Sequence, residues 1–265
     1  MLQIKYAKKI FDRGTPNEQI ALDDLNLTLS PGEFVTIIGS NGAGKSTLFN
    51  AICGNFWLDA GHIILDGRDI TYEKEYLRAS EIGRLFQDPM RGSAPHMTIE
   101  ENLALVYSKA NRRPLSPALR KKDRDVFCEL LSRLDMGLED RMKTRMGLLS
   151  GGQRQAVTLI MSTMITPKLL LLDEHTAALD PITAEKVLAI TKSIITEKNL
   201  TAMMITHNIN SALELGTRTL MLEDGRIVLD LTGEERKAMT VTGLIELYRQ
   251  KCSREFDTDR VLLTK

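Results

Sequence analysis

Two neighbouring carboxylates, Asp173 and Glu174, close the apolar run of LLLLDEHTAALD (169–180). A short apolar run reads as a buried strand, so both acids stand where the strand must end and a ligand can approach. One carboxylate can hold a cation. The other, crowded against it, suits a general base that polarises a water, an effect typically worth about 10² to 10⁴ in rate. A second cluster lies earlier in the chain. GSNGAGKST (39–47) follows the buried run FVTII (34–38) and opens a helix through LFNAIC to Gly54. This is G-x-x-x-x-G-K-S in its strand, loop and helix setting.

The physics of that loop is anion binding. Gly39, Gly42 and Gly44 allow positive-φ turns and close backbone approach. Successive N–H groups along Gly39, Ser40, Asn41, Gly42, Ala43, Gly44, Lys45, Ser46 and Thr47, with the helix N-terminus, then converge on phosphate oxygens. Lys45 reaches the β and γ phosphates of a nucleotide, and Ser46 offers a hydroxyl to Mg²⁺. Asp173 holds the same ion, directly or through water. Glu174 is left as the base. A third motif, LLSGGQRQ (148–155), places Ser150 as the cap of a helix whose start, loosened by Gly151 and Gly152, is a second anion site.

These residues need elements to hold them. LNLTL (25–29) alternates as a strand before a turn at Pro31 and Gly32, and two hairpins turn at Asp66–Gly67 and Asp224–Gly225. The middle of the chain is helical. Ser116 and Pro117 make a helix start, followed by Val126, Phe127, Leu130, Leu131 and Leu134 at helical spacing. Behind Ser150, Val157, Ile160, Met161 and Met164 share a face and Pro167 is the stop. The basic stretch 110–125 reads as a solvated connector, and the chain beyond 233 as mixed helix and coil.

Composition narrows the class. The 265 residues, 43% hydrophobic, are enough for a sizeable core. Thirty-five basic residues balance thirty-five acidic ones, which removes the overall electrostatic footprint of a nucleic-acid binder. Cys53, Cys128 and Cys252 are scattered, which argues against a disulfide framework or a zinc site. No stretch approaches the roughly 18 apolar residues of a spanning helix.

With all three motifs in this order, the chain resembles the ATP-binding cassette ATPases, specifically the nucleotide-binding subunits of ABC transporters of bacterial importer type, over about residues 1–232, with 233–265 as a tail. The resemblance implies an α/β fold: a P-loop NTPase core with a mainly parallel sheet, an N-terminal antiparallel β subdomain and an inserted α-helical subdomain at about 89–166 that docks on membrane subunits. It implies ATP and Mg²⁺, and a homodimer in which Ser150, Gly151, Gly152 and Gln153 of one copy cover ATP held by the other. Gln87 matches the Q-loop glutamine, contacting Mg²⁺ or the attacking water. His207 matches the H-loop histidine that contacts the γ-phosphate and supports Glu174, and Asp180 the D-loop acid of the dimer contact. Phe11 matches the aromatic that stacks on adenine, with Tyr6 a near rival. The family usually has proline where this chain has His175, which is read as tolerated and not catalytic. His62 and His96 are read as surface or structural.

The function implied is hydrolysis of ATP to drive solute transport through separate integral membrane permease subunits, with uptake of a small solute such as an amino acid. A solute-binding protein belongs to such a system and nucleic acid does not. The location implied is cytoplasmic, peripheral on the inner face of the membrane. Two rival readings stand beside it: a soluble cassette acting on nucleic acid or ribosomes, and an ATP switch without turnover. Glu174 and His207 together argue against the switch.

Overall fold

The computed structural model describes residues 1–110 and 121–252, in two compact units: 1–82 with the chain from Leu200 onward, and 83–199. Ser116 and Pro117, most of the basic stretch, and the side chain of Cys252 lie outside the described residues. Among the described residues, neither Cys53 nor Cys128 is in a disulfide.

The first unit opens with β1 (Leu2–Phe11), β2 (Gln19–Leu29), β3 (Phe34–Gly39), α1 (Lys45–Cys53), β4 (Ala60–Leu65), β5 (Arg68–Asp69) and α2 (Glu75–Arg78). An antiparallel sheet forms in the order β2-β1-β4-β5. Alternation in the sequence marks strand only over 25–29, whereas β2 starts at Gln19, because burial alternates cleanly only in its second half. Its partner β1 gives no strand signal for a similar reason: register shifts near Tyr6 break the two-residue period that a strand would show.

β6 (Ile82–Leu85) leads into the second unit, which holds α3 (Ile99–Ala110), α4 (Lys121–Ser132), α5 (Gly151–Met164), β7 (Leu169–Asp173) and α6 (Pro181–Glu197). Strands β6 and β7 are neighbours. Phe127 and Leu131 of α4 pack with Ile99 and Leu103 of α3 and with Ala156, Val157 and Ile160 of α5. Leu134, which the helical spacing includes, lies past the end of α4 yet stays in that core. α5 begins behind Ser150 and ends before Pro167, as the pattern says.

Returning to the first unit, β8 (Ala202–Ile205), α7 (Ile209–Leu215), β9 (Arg218–Glu223), β10 (Arg226–Thr232), α8 (Gly233–Ala238) and α9 (Val241–Cys252) follow. β3 runs parallel to both β8 and β9, while β9 and β10 form the antiparallel hairpin. Every residue of β3 and β8 is buried, as parallel strands covered on both faces require. The hairpin turns at Asp224 (φ 46°) and Gly225 (φ 76°), two left-handed residues in succession, which is the geometry an Asp-Gly pair favours. From Gly233 to Cys252 the chain is mainly helical, and α9 sends Leu244 and Tyr248 into a core with Ile38, Met221 and Leu229.

Candidate functional site

In the first unit, β3 delivers the chain to the phosphate loop, and two glycines there are compelled by more than dihedral freedom. At Gly39 (φ 152°) a Cβ would stand 2.2 Å from the Leu222 carbonyl oxygen, and at Gly44 (φ 98°) another would stand 2.4 Å from the Ala21 oxygen. Any side chain would have to displace backbone. Gly42 (φ 84°) has open space around it, so only its conformation asks for glycine.

The loop closes on its own lysine. Lys45 is buried, and Nζ donates to the carbonyl oxygens of Gly39 and Ser40, both at 2.8 Å. Ser46 is exposed in the first turn of α1. That helix has no side-chain cap and no acidic residue in its first turn, so the dipole at its N-terminus favours an anion. The opposite end is sealed by a residue that no local pattern marks: buried Arg78 donates to the Ala51 and Ile52 carbonyls at 2.8 and 2.9 Å. Burial lowers the pKa of that guanidinium from its ordinary value. Arg78 becomes a cap only through tertiary contact.

His207 stands half-buried just past β8, and the next residue, Asn208, caps α7 by accepting from Ser211 N at 3.0 Å. Phe11 ends β1 in an edge-to-face pair with Phe56, centroids 5.4 Å apart, with Lys9 Nζ 5.5 Å from its ring centre. Tyr6 sits instead in the irregular stretch of β1 at φ 51° and is 65% exposed. His62 and His96 are exposed, with His62 Nδ1 2.8 Å from an Asp69 carboxylate oxygen.

In the second unit, four fully buried leucines bring β7 to Asp173. Asp173 Oδ2 accepts from Arg84 Nη2 at 2.9 Å, with both side chains largely buried. Arg84, on β6, is a further residue that no spacing in the sequence points to. Glu174 follows at φ 46°, a left-handed conformation uncommon for a residue with a side chain and a frequent mark of functional sites. His175 turns inward, with Nε2 3.2 Å from the Thr191 hydroxyl. Desolvation pushes its pKa down to about 4, so the ring is neutral at physiological pH.

Gln87 is exposed just beyond β6. The residue before it is pinned: buried Gln155 Nε2 donates to the Phe86 carbonyl at 3.2 Å. Ser150 caps α5 in a reciprocal box, accepting from Gln153 N at 3.2 Å while its own N–H donates to Gln153 Oε1 at 3.3 Å. The glycines that follow do something other than loosen the helix. A Cβ at Gly152 would lie 1.9 Å from the Thr183 methyl carbon, so glycine here admits α6. Asp180 caps α6 by accepting from Thr183 N at 3.0 Å, and hydrogen bonds from Thr183 hold its carboxyl below the usual range.

A phosphate loop on a parallel strand, with an apolar strand ending in Asp-Glu, defines a P-loop nucleotide-binding protein. The chain belongs to the ABC transporter family, whose model matches residues 22–177. It is 43% identical over 248 residues to the tyrosine transport ATP-binding protein of Clostridioides difficile (strain R20291), covering 94% of this chain and 98% of that one. It is 34% identical over 235 residues to the phosphonates import ATP-binding protein PhnC 1 of Halalkalibacterium halodurans, covering 87% of this chain and 88% of the relative. Among solved structures it is similar to the dimeric post-hydrolysis state of the ATP-binding cassette MJ0796 bound to ADP and Pi, with TM-score 0.74 and 29% identity over 88% of this chain and 98% of that one. The protein is an ATP-binding, ATP-hydrolysing cassette of this family. Transport ATPases as relatives set aside the rival reading of a cassette acting on nucleic acid or ribosomes.

Proposed function

We propose that the chain powers uptake of a small solute, of the amino-acid class, by hydrolysing ATP beneath separate membrane permease subunits. The observation that supports the solute class is the 43% identity to a tyrosine transport ATP-binding protein across nearly the whole of both chains. Phosphonate import, the activity in the name of a relative at 34% identity, is the second reading. Among the described residues no helix is long and apolar enough to cross a membrane. In this reading the path for solute belongs to the permease subunits, and the helices within about 89–166 are the side that docks on them. A peripheral position on the cytoplasmic face, a solute-binding protein in the same system and no nucleic-acid partner follow from it.

The site residues take these roles. Backbone N–H groups from Gly39 to Thr47 and the N-terminus of α1 receive the phosphates, and Lys45, oriented by the Gly39 and Ser40 carbonyls, donates to phosphate oxygens. Phe11 stacks on adenine. The exposed Ser46 hydroxyl and Gln87 amide, with the Asp173 carboxylate whose Oδ2 also accepts from Arg84, would be the oxygen ligands that Mg²⁺ prefers. That ion neutralises charge on the phosphates when bound. Glu174 orients the attacking water and takes its proton, while His207 contacts the γ-phosphate. Ser150, Gly151, Gly152 and Gln153 face the nucleotide of a second copy, with Asp180 at the same contact, so that two chains close on two ATP molecules.

Glu174→Gln tests the assignment. It keeps size and removes the base, so phosphate release should fall by about 10² to 10⁴ while ATP binding survives. Uncleaved ATP then holds the pair closed, and light scattering should show a dimer more persistent with ATP than with ADP. Native-rate hydrolysis by Glu174→Gln would sink the reading. For the solute class, transport by the reconstituted permease complex should respond to an amino acid; a response to a phosphonate alone would replace it.

A further inference from the structure

The β9–β10 hairpin touches the phosphate loop at three points. The Leu222 oxygen crowds Gly39, Gly225 N donates to the Ala43 oxygen at 3.1 Å, and Ser40 Oγ donates to Glu223 Oε2 at 2.8 Å. The first two are backbone contacts that any sequence with these glycines could make. The third is a side-chain choice, and it has a second layer. Tyr248 of α9, 1% exposed, donates its phenol to that same Glu223 Oε2 at 2.9 Å. Two hydroxyls thus converge on one oxygen of a carboxylate that is itself 7% exposed.

We infer that Glu223 and Tyr248 are positioning residues for ATP binding, through which helix α9 sets the phosphate loop from behind. This rests on the phosphate-loop assignment above. A buried carboxylate close to an anion site is a liability unless its oxygens are engaged elsewhere, and hydroxyl donors to a carboxylate make the stronger kind of hydrogen bond. Tyr248 fixes where Glu223 points. Glu223 then holds Ser40 by its side chain, and the Ser40 carbonyl is one of the two oxygens that accept from Lys45. The chain Tyr248, Glu223, Ser40, Lys45 therefore runs from α9 to the ammonium of the loop. Packing of Tyr248 in one core with Ile38 and Met221 already secures α9, so the phenol oxygen is not needed to dock the helix.

The test is ATP affinity, by titration of the full chain with Mg²⁺ and a fluorescent ATP analogue, for Tyr248→Phe, Ser40→Ala and the two together. Phe keeps the ring in its core, so folding is preserved and is checked by melting without nucleotide. Tyr248→Phe should weaken affinity about threefold to tenfold, a fraction of the worth of one hydrogen bond to a charged group, because the loss reaches the ammonium through Glu223 and Ser40. The double variant should be no weaker than Ser40→Ala alone, because both changes cut the same chain. Additive losses, or a Tyr248→Phe protein that binds ATP with native affinity whatever its melting temperature, would overturn the inference and leave Tyr248 a purely structural residue. Lys45→Ala separates the two failures. If it abolishes binding while Tyr248→Phe changes nothing, only the inference falls; if Lys45→Ala binds normally, the phosphate-loop reading itself is wrong.

Discussion

The phosphate loop and the start of α5 are both glycine-rich approaches to a helix, and the structure uses glycine differently in each. In the loop, Gly39, Gly42 and Gly44 all carry positive φ, and the obstacles at Gly39 and Gly44 are carbonyl oxygens of the backbone. At α5 the glycines carry no left-handed φ, and the obstacle at Gly152 is a methyl group of Thr183. The loop needs glycine for its backbone path. The helix start needs it for the approach of a neighbouring side chain, while Ser150 and Gln153 supply the cap. A residue type that looks alike in two motifs thus answers to two different constraints.

Substitutions can break this contrast. Gly39→Ala should have the largest effect: the left-handed strain and the carbonyl clash together cost about 3 kcal/mol or more, and no single second change relieves a backbone obstacle. Loss of measurable ATP binding in a titration is the outcome expected. Under the two-copy arrangement proposed above, Ser150→Arg should come next, blocking hydrolysis while the isolated chain still binds ATP, because the altered helix end would face the partner's nucleotide. If monomer binding were lost instead, the arrangement across two copies would be wrong. Gly152→Ala should cost about 1 to 3 kcal/mol, as overpacking does, and Thr183→Ser should restore most of it by removing the methyl group. Denaturant midpoints of the single and double variants decide that, and an unrescued double variant would show that the Thr183 methyl is not the obstacle.

The smallest expected effect concerns His175. Its folded pKa of about 4 lies below the 6.5 of the free side chain, so the unfolded chain binds the proton more readily. Stability is therefore complete above the unfolded value, falls as pH drops through 6.5, and stops falling for this group below about 4. By about pH 5.5, one pH step below the free value, the loss is roughly 1.4 kcal/mol. His175→Gln should lose less stability than the native chain between about pH 8 and pH 5.5 in parallel melts, and identical losses would mean that His175 does not titrate as a buried group.

Much of the candidate site is legible in the sequence alone, because the residues proposed to carry its chemistry are contiguous. Strand, loop and helix around Gly39–Thr47, the apolar run into Asp173 and Glu174, and the cap at Ser150 are all local patterns whose meaning depends on neighbours a few positions away. The hairpin turns at Asp66–Gly67 and Asp224–Gly225 belong with them, since positive φ at two successive residues selects few pairs. Bulged β1 carries no such signal, because its register shifts erase the period on which a strand is recognised.

What only the tertiary structure decided is how those local pieces are braced. Arg78 on the end of α1, Arg84 on Asp173, Gln155 on the Phe86 carbonyl and Tyr248 on Glu223 are all partners far apart in sequence. Each is an ordinary residue in its own segment. A local pattern constrains dihedrals and one apolar face, and so it determines which backbone can bind phosphate. The partner that neutralises a buried charge or satisfies a buried carbonyl is set by which side chains the folded core brings within about 3 Å, and spacing along the chain carries no information about that.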